Sequence, residues 1–271
     1  MPALVPIDDP GDPRVEPYLA VRERDLVGRQ GRFVAEGEVV LRVLFARARH
    51  QVESVFLAEG RLAPLLPLLD ALGESVPVYV APGDVLNRVV GFAIHRGVLA
   101  LGRRAPEPAA ADLLARLPSP ALALGLVGVA NHDNVGGLYR NAAAFGAGAV
   151  IRDQATCDPL YRKAIRVSVG AALAVPSSRV EGAAALLDAL HAAGFEVLSL
   201  SPSGRETLDE VRPAPRTALL LGSEGPGLPA ELLARTRSVR VPMAPGWDSL
   251  NVATASGIAL YALTSSCARP R

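Results

Sequence analysis

ALALGLVGVANHDNVGGLYRNAAAFGAGAVIR (121–152) reads as strand, helix, strand. Its opening, ALALGLVG (121–128), is apolar throughout, as in a strand buried on both faces of a parallel sheet. GAVIR (148–152) repeats that character. Between them Val135, Leu138, Ala142 and Phe145 recur at helical spacing over 135–145. The pattern continues with FEVLSLS (195–201), TALLLG (217–222) and SVRVP (238–242), and helical stretches fall at 160–172, 181–193, 228–236 and 249–264. This β-α-β-α order predicts an α/β fold, a doubly wound parallel sheet that takes ligands at the carboxyl ends of its strands.

Upstream, RRAPEPAAADLLARLPSP (103–120) is rich in Pro and Ala, the composition of a linker entering a short helix. We therefore divide the chain into an N-terminal part (1–105), a linker (106–119) and a C-terminal domain (120–271). In the first part EGEVVLRVLFARA (36–48) has helical periodicity, and SVFLA (54–58), VPVYVA (76–81) and GVLALG (97–102) read as strands. Helical stretches at 62–72 and 83–90 complete a small α/β domain.

Half of the 271 residues are hydrophobic and no apolar run is long enough to span a membrane. The N-terminus, MPALVPIDDPGDP, lacks the basic start and apolar stretch of a signal peptide, so the expected location is cytoplasmic. Cys157 and Cys267 are isolated and the four histidines are scattered, which argues against a disulfide framework and a metal site. The formal charge of +1 gives no global attraction to nucleic acid. Positive charge is nevertheless clustered, at Arg22, Arg24, Arg29 and Arg32 and again at Arg162, Lys163 and Arg166. Arginine can fork two hydrogen bonds onto a phosphate. A genomic bias toward Arg would produce the same composition.

Three segments follow strands. In NHDNVGGLYRNAAAFGAGAV (131–150), Asn134 can cap the helix, and Arg140 stands off the apolar stripe among Gly137, Asn141 and Ala144. A solvated helix face would look the same. In LLLGSEGPGLP (219–229) a Gly-rich turn contains Glu224, with neither dinucleotide-binding glycine spacing nor a P-loop lysine. A carboxylate there would repel a pyrophosphate and suits a ligand with a cationic centre or hydroxyls; an ordinary strand-to-helix turn remains open. In VRVPMAPGWDSLNVATASGIALY (239–261), Ser249 is a plausible cap and Asn251 falls in the first helical turn. Ala253, Ala255, Ser256 and Gly257 permit close helix packing, with or without chemistry.

Together these segments resemble the SpoU/TrmH branch of the SPOUT RNA methyltransferases. The resemblance rests on Asn134, Gly136, Arg140, Ala142, Phe145 and Gly146, then on Arg166, Ser168, Gly170 and Ala171. It continues in Gly222, Glu224, Gly225 and Gly227, and ends in Pro242, Met243, Ser249, Leu250, Asn251 and Val252. It covers about 120–265. Phe33, Glu36 and Gly37, with His95 and Gly97, resemble the ribosomal-protein-like RNA-binding domain that often precedes this catalytic domain. At 245 the chain has Pro where many members have Gly, with Gly246 next.

The resemblance implies a C-terminal parallel-sheet α/β knot (a deep trefoil knot) preceded by a small α/β RNA-binding domain. It implies a homodimer with S-adenosyl-L-methionine as cofactor; no metal is expected, from the scattered histidines and cysteines. The activity implied is methyl transfer to a ribose 2′-hydroxyl of structured RNA, ribosomal RNA ahead of transfer RNA; the alternatives are a transfer-RNA ribose methyltransferase and an RNA-binding protein without catalysis. Gly222, Ser223, Val241, Met243 and Leu250 would hold the cofactor. Arg140 would be central, assisted by Asn134, Glu224, Ser249 and Asn251. Arg22, Arg24, Arg29, Arg32 and Arg166 would contact RNA. An arginine side chain is very hard to deprotonate, so binding a phosphate and stabilising a developing alkoxide suit Arg140 better than acting as a base.

Overall fold

A computed structural model describes residues 2–19, 23–94, 96–247 and 249–268. It separates into two units, residues 1–106 with 159–174, and residues 107–158 with 175–271.

The first unit contains β1 (Ala3–Pro6), α1 (Glu23–Gly28), β2 (Arg32–Glu36), α2 (Glu38–Arg47), β3 (Gln51–Ala58), α3 (Leu62–Leu69), β4 (Pro77–Ala81), α4 (Gly83–Val90) and β5 (Val98–Arg103). Its sheet runs β1-β4-β3-β5-β2, parallel except where β5 pairs antiparallel with β3 and β2. Side chains alternate between its faces. Val55 and Leu57 join one core with Leu41 and Leu44 of α2, while Phe56 joins another with Val85, Leu86 and Val89 of α4. Both faces are covered, which explains why the strands read as apolar runs. Phe33 owes its place to packing, because a Cβ on Gly102 would lie 2.3 Å from its ring.

The second unit opens with α5 (Ala110–Ala115), β6 (Ala121–Leu126), α6 (His132–Ala144) and β7 (Ala149–Asp153). The chain then contributes α7 (Arg162–Val167) and α8 (Ala171–Ala174) to the first unit. It returns through β8 (Ser177–Val180), α9 (Ala183–Ala192), β9 (Glu196–Leu200), β10 (Glu206–Thr207), β11 (Arg216–Leu221), α10 (Ala230–Ala234), β12 (Arg237–Arg240) and α11 (Val252–Ala268). The strand order is β10-β12-β9-β11-β6-β7-β8, and every pairing is parallel. One face packs on α5, α9 and α10 through Leu114, Leu186, Leu190 and Leu232.

Two boundaries differ from the sequence reading. The stretch expected as a linker supplies Ala110, Leu113 and Leu114 to the second core. Residues 159–174, expected in the C-terminal domain, place Leu160, Ile165 and Leu173 in the first core. In both cases apolar side chains find cores that their position along the chain does not suggest. Among the described residues no helix is long and apolar enough to cross a membrane.

Arg216, at the start of β11, fastens the second unit. It donates to the carbonyls of Leu114 (2.9 Å), Leu117 (3.0 Å) and Ala193 (3.1 Å) and stacks on Phe195, 4.4 Å from the ring centroid. Arg216→Ala leaves three carbonyls without this donor and is expected to lower stability by about 2–3 kcal/mol. A urea titration would show it as a lower midpoint.

Candidate active site

The first segment turns sharply after β6. Gly128 adopts a φ of +66°, and its N–H donates to Asp153 (3.0 Å). Asp153 also accepts from the backbone N–H and hydroxyl of Thr156 (2.8 and 2.7 Å), and Thr156 Oγ1 accepts from Val129 N–H (3.2 Å). This buried brace ends the turn at Asn131, whose side chain accepts from Asp133 N–H at 2.8 Å. Asn131 is therefore the cap of α6, not Asn134 as the spacing suggested. Either residue type can cap; the brace selects the earlier one.

Asn134 is thereby free to bridge. It is buried at 4% exposure, and its Nδ2 donates to Glu224 Oε1. Its Oδ1 accepts from Asn251 Nδ2 at 2.9 Å, and the same Asn251 amide lies 3.4 Å from Glu224 Oε1. The first turn of α6 and two loops thus meet in one triangle of side chains, with Asn134 standing 90 and 117 residues from its two partners.

The second segment depends on close backbone approach. A Cβ on Gly222 would lie 2.5 Å from the carbonyl carbon of Gly227, so only glycine fits without displacement. Ser223 and Gly227 form an isolated antiparallel bridge, and Gly225 and Gly227 hold φ values of +85° and +68°.

In the third segment Trp247 N–H donates to the Ala244 carbonyl (3.3 Å), with Gly246 at φ +87°. Pro245 and Gly246 thus take the central positions of a type II-like turn, which suits both residues. The cap of α11 is Asn251, not Ser249: its Oδ1 accepts from the N–H groups of Ala253 (2.9 Å) and Thr254 (3.2 Å). Asn141 of α6 then donates to the Ala253 carbonyl (2.7 Å) and to Ser256 Oγ (2.8 Å). A Cβ on Gly137 would lie 2.6 Å from that of Ala253, so the small residues of α11 serve close contact with α6.

These segments enclose a cleft of about 380 Å³ at the carboxyl ends of β9, β11 and β12. Gly222, Ser223, Val241, Met243 and Leu250 line it, as do Glu224, Ser249 and Asn251. Leu200, Ser201 and Pro202 line it too, and these the motif reading missed. Their signal was positional, at the carboxyl end of a buried strand. Asn134 lines an adjoining concavity with Gly128, Asn131, Ser223 and Glu224. Arg140 is exposed on α6, lines neither space and makes no ion pair among the described residues.

Among the described residues, none of the expected RNA-contacting arginines is a lining residue of the cleft. Arg166 is exposed on α7, in the first unit, and Arg29 is exposed beyond α1. Arg32 is paired with Glu53 at 2.8 Å. Arg22, His95 and the Arg24 side chain lie outside the described residues. Burial pushes the Cys157 thiol up to about 12, with Asp158 adding to the rise.

Residues 121–261 match the model of the SpoU rRNA Methylase family. The chain is 41% identical over 267 residues to an uncharacterized tRNA/rRNA methyltransferase of Mycobacterium bovis, covering 95% of this chain and 91% of that protein. It is 33% identical to the 23S rRNA (guanosine-2′-O-)-methyltransferase RlmB of Escherichia coli, covering 82% and 93%. The crystal structure of AviRb from Streptomyces viridochromogenes with AdoMet superposes with a TM-score of 0.79 at 22% identity, covering 96% and 100%, a likeness of fold.

The triangle predicts a graded response at 251. Asn251→Ala removes both the cap of α11 and the link to Asn134, a loss of about 2 kcal/mol. Asn251→Asp keeps the cap but sets a second carboxylate beside Glu224, and recovers only part. Thermal unfolding of the two variants would separate the contributions.

Proposed function

We propose that this chain, which belongs to the SpoU rRNA methylase family, transfers the methyl group of S-adenosylmethionine to a ribose 2′-hydroxyl of ribosomal RNA. The observation that carries the reading is the Asn134–Glu224–Asn251 triangle, which ties all three motif loops to one cleft. The cleft fits the cofactor in chemistry. Leu200, Leu221, Val241, Met243 and Leu250 supply apolar walls, and Gly222, packed against the backbone of Gly227, lines the cleft at the turn. Glu224 offers a carboxylate where a phosphate cofactor would be repelled. When bound, the cofactor supplies a methyl group on a cationic sulfur, the electrophile of the reaction.

The protein's own residues then position and discharge the hydroxyl. Glu224 is oriented by Asn134 and Asn251, and with Ser249 it presents acceptors and donors to a ribose. Arg140 holds a phosphate and stabilises the alkoxide as the hydroxyl proton leaves to solvent. Because Arg140 does not line the cleft of its own chain, it serves the cleft of a second copy in a homodimer. Trp247 and Tyr261, 76% and 61% exposed, and Ile258 provide the apolar surface for that pairing.

The sheet order supports the knotted form of the fold. The chain leaves β11, which lies between β9 and β6, and re-enters on the far side of β9 as β12 before the 241–251 loop returns to Asn134. The first unit serves as the RNA-selecting domain, with exposed Arg29 and Arg166.

Arg140→Ala should abolish methyl transfer to RNA while cofactor affinity stays within a few-fold. Labelled-methyl transfer and calorimetric titration check the two halves, and near-normal turnover would overturn the assignment. Tyr261→Glu should shift the protein toward monomer in light scattering and lower activity in parallel, since each cleft then lacks the Arg140 supplied by the second copy.

A further inference from the structure

The first unit holds a second concavity, of about 300 Å³, that the proposed chemistry does not use. Tyr18 and Leu26 are buried within it, while Leu19 and Phe92, at 42% and 38% exposure, stay open to solvent. Val34 and Val90 complete its apolar wall. Among the described residues Arg162 is the one charged residue lining it, and its guanidinium lies 4.6 Å from the Phe92 ring centroid.

Among the described residues, several cations lie near it. Arg162 opens α7, which also exposes Lys163 and Arg166. Arg29 follows two residues after Val27, another lining residue. Both α1 and α7 pack on β2, the edge strand of the sheet. An apolar slot with an aromatic–guanidinium stack therefore sits beside a run of cations on one sheet edge.

We infer that this concavity receives one unstacked base of the RNA substrate, with neighbouring phosphates held by α7. The inference rests on the proposed RNA substrate and adds where a single-stranded base is gripped. Unpaired bases are read by stacking on aromatic rings and guanidinium planes, a surface Phe92 and Arg162 supply together. A duplex keeps its bases stacked and can offer only phosphates. The slot thus selects loops or bulges, and α7 adds affinity without selectivity. It also gives a reason for residues 159–174 to lie in the first unit, since they bring three of the four cations.

The test uses the full chain with a labelled short oligoadenylate and a short RNA duplex across a range of salt. Phe92→Ala should weaken oligoadenylate binding roughly tenfold, with duplex binding and salt dependence unchanged. Phe92→Tyr, which keeps the ring, should bind as the parent does. Phe92→Leu replaces the Ala variant if that fails to fold, as read by circular dichroism and thermal unfolding of the full chain. Arg166→Ala should weaken both RNAs and reduce the salt slope by about one. The inference is overturned if Phe92→Ala binds oligoadenylate normally, or if it loses duplex binding to the same degree. Should the parent protein bind no RNA and methylate none, the RNA reading itself fails; normal methylation by parent and Phe92→Ala alike removes only the base slot.

Discussion

The amide of Asn134 is the knot of hydrogen bonds on which the catalytic half depends. Its donor is held by Glu224 and its acceptor by Asn251, so one buried side chain ties the first turn of α6 to two loops at once. Burial gives the arrangement its weight. An amide taken out of water must find partners; the carboxylate satisfies its donor with a charge-assisted bond and a second amide satisfies its acceptor. Asn251 carries the constraint onward by capping α11, and Asn141 secures the same helix end from α6. The cleft is shaped by residues that a ligand need never touch.

Much of this was legible in the sequence, and the exceptions have causes. Buried parallel strands such as 121–126 and 216–221 announce themselves as unbroken apolar runs because both faces are covered. β8 (Ser177–Val180) did not, since SSRV lacks that character and lies at the sheet edge. β2 (Arg32–Glu36) was hidden in a segment read for its charge. The caps were each misplaced because Asn131 and Asn134, or Ser249 and Asn251, are equally able by type. Only the Asp153–Thr156 brace and the 134–224–251 triangle decide between them.

The arginines show why charge counting was a poor guide. Arg32 and Arg103 share Glu53, Arg237 bridges Glu196 and Glu206, and Arg152 is buried against Glu107. Arg216 spends its donors on three carbonyls. These residues hold the fold. Arg140 and Arg166 are exposed without an ion pair among the described residues, which sets them apart from these structural arginines.

The discontinuous make-up of the first unit bears on how the chain is made. Leu160, Ile165 and Leu173 belong to its core, yet they are synthesised after β6, α6 and β7 of the second unit. A ribosome adds roughly 5–20 residues each second. The nascent first unit therefore waits several seconds with part of its apolar surface open, while the opening strands of the other unit emerge beside it. Vectorial synthesis cannot finish the two units one after the other, and the order of completion is set by the return of residues 159–174.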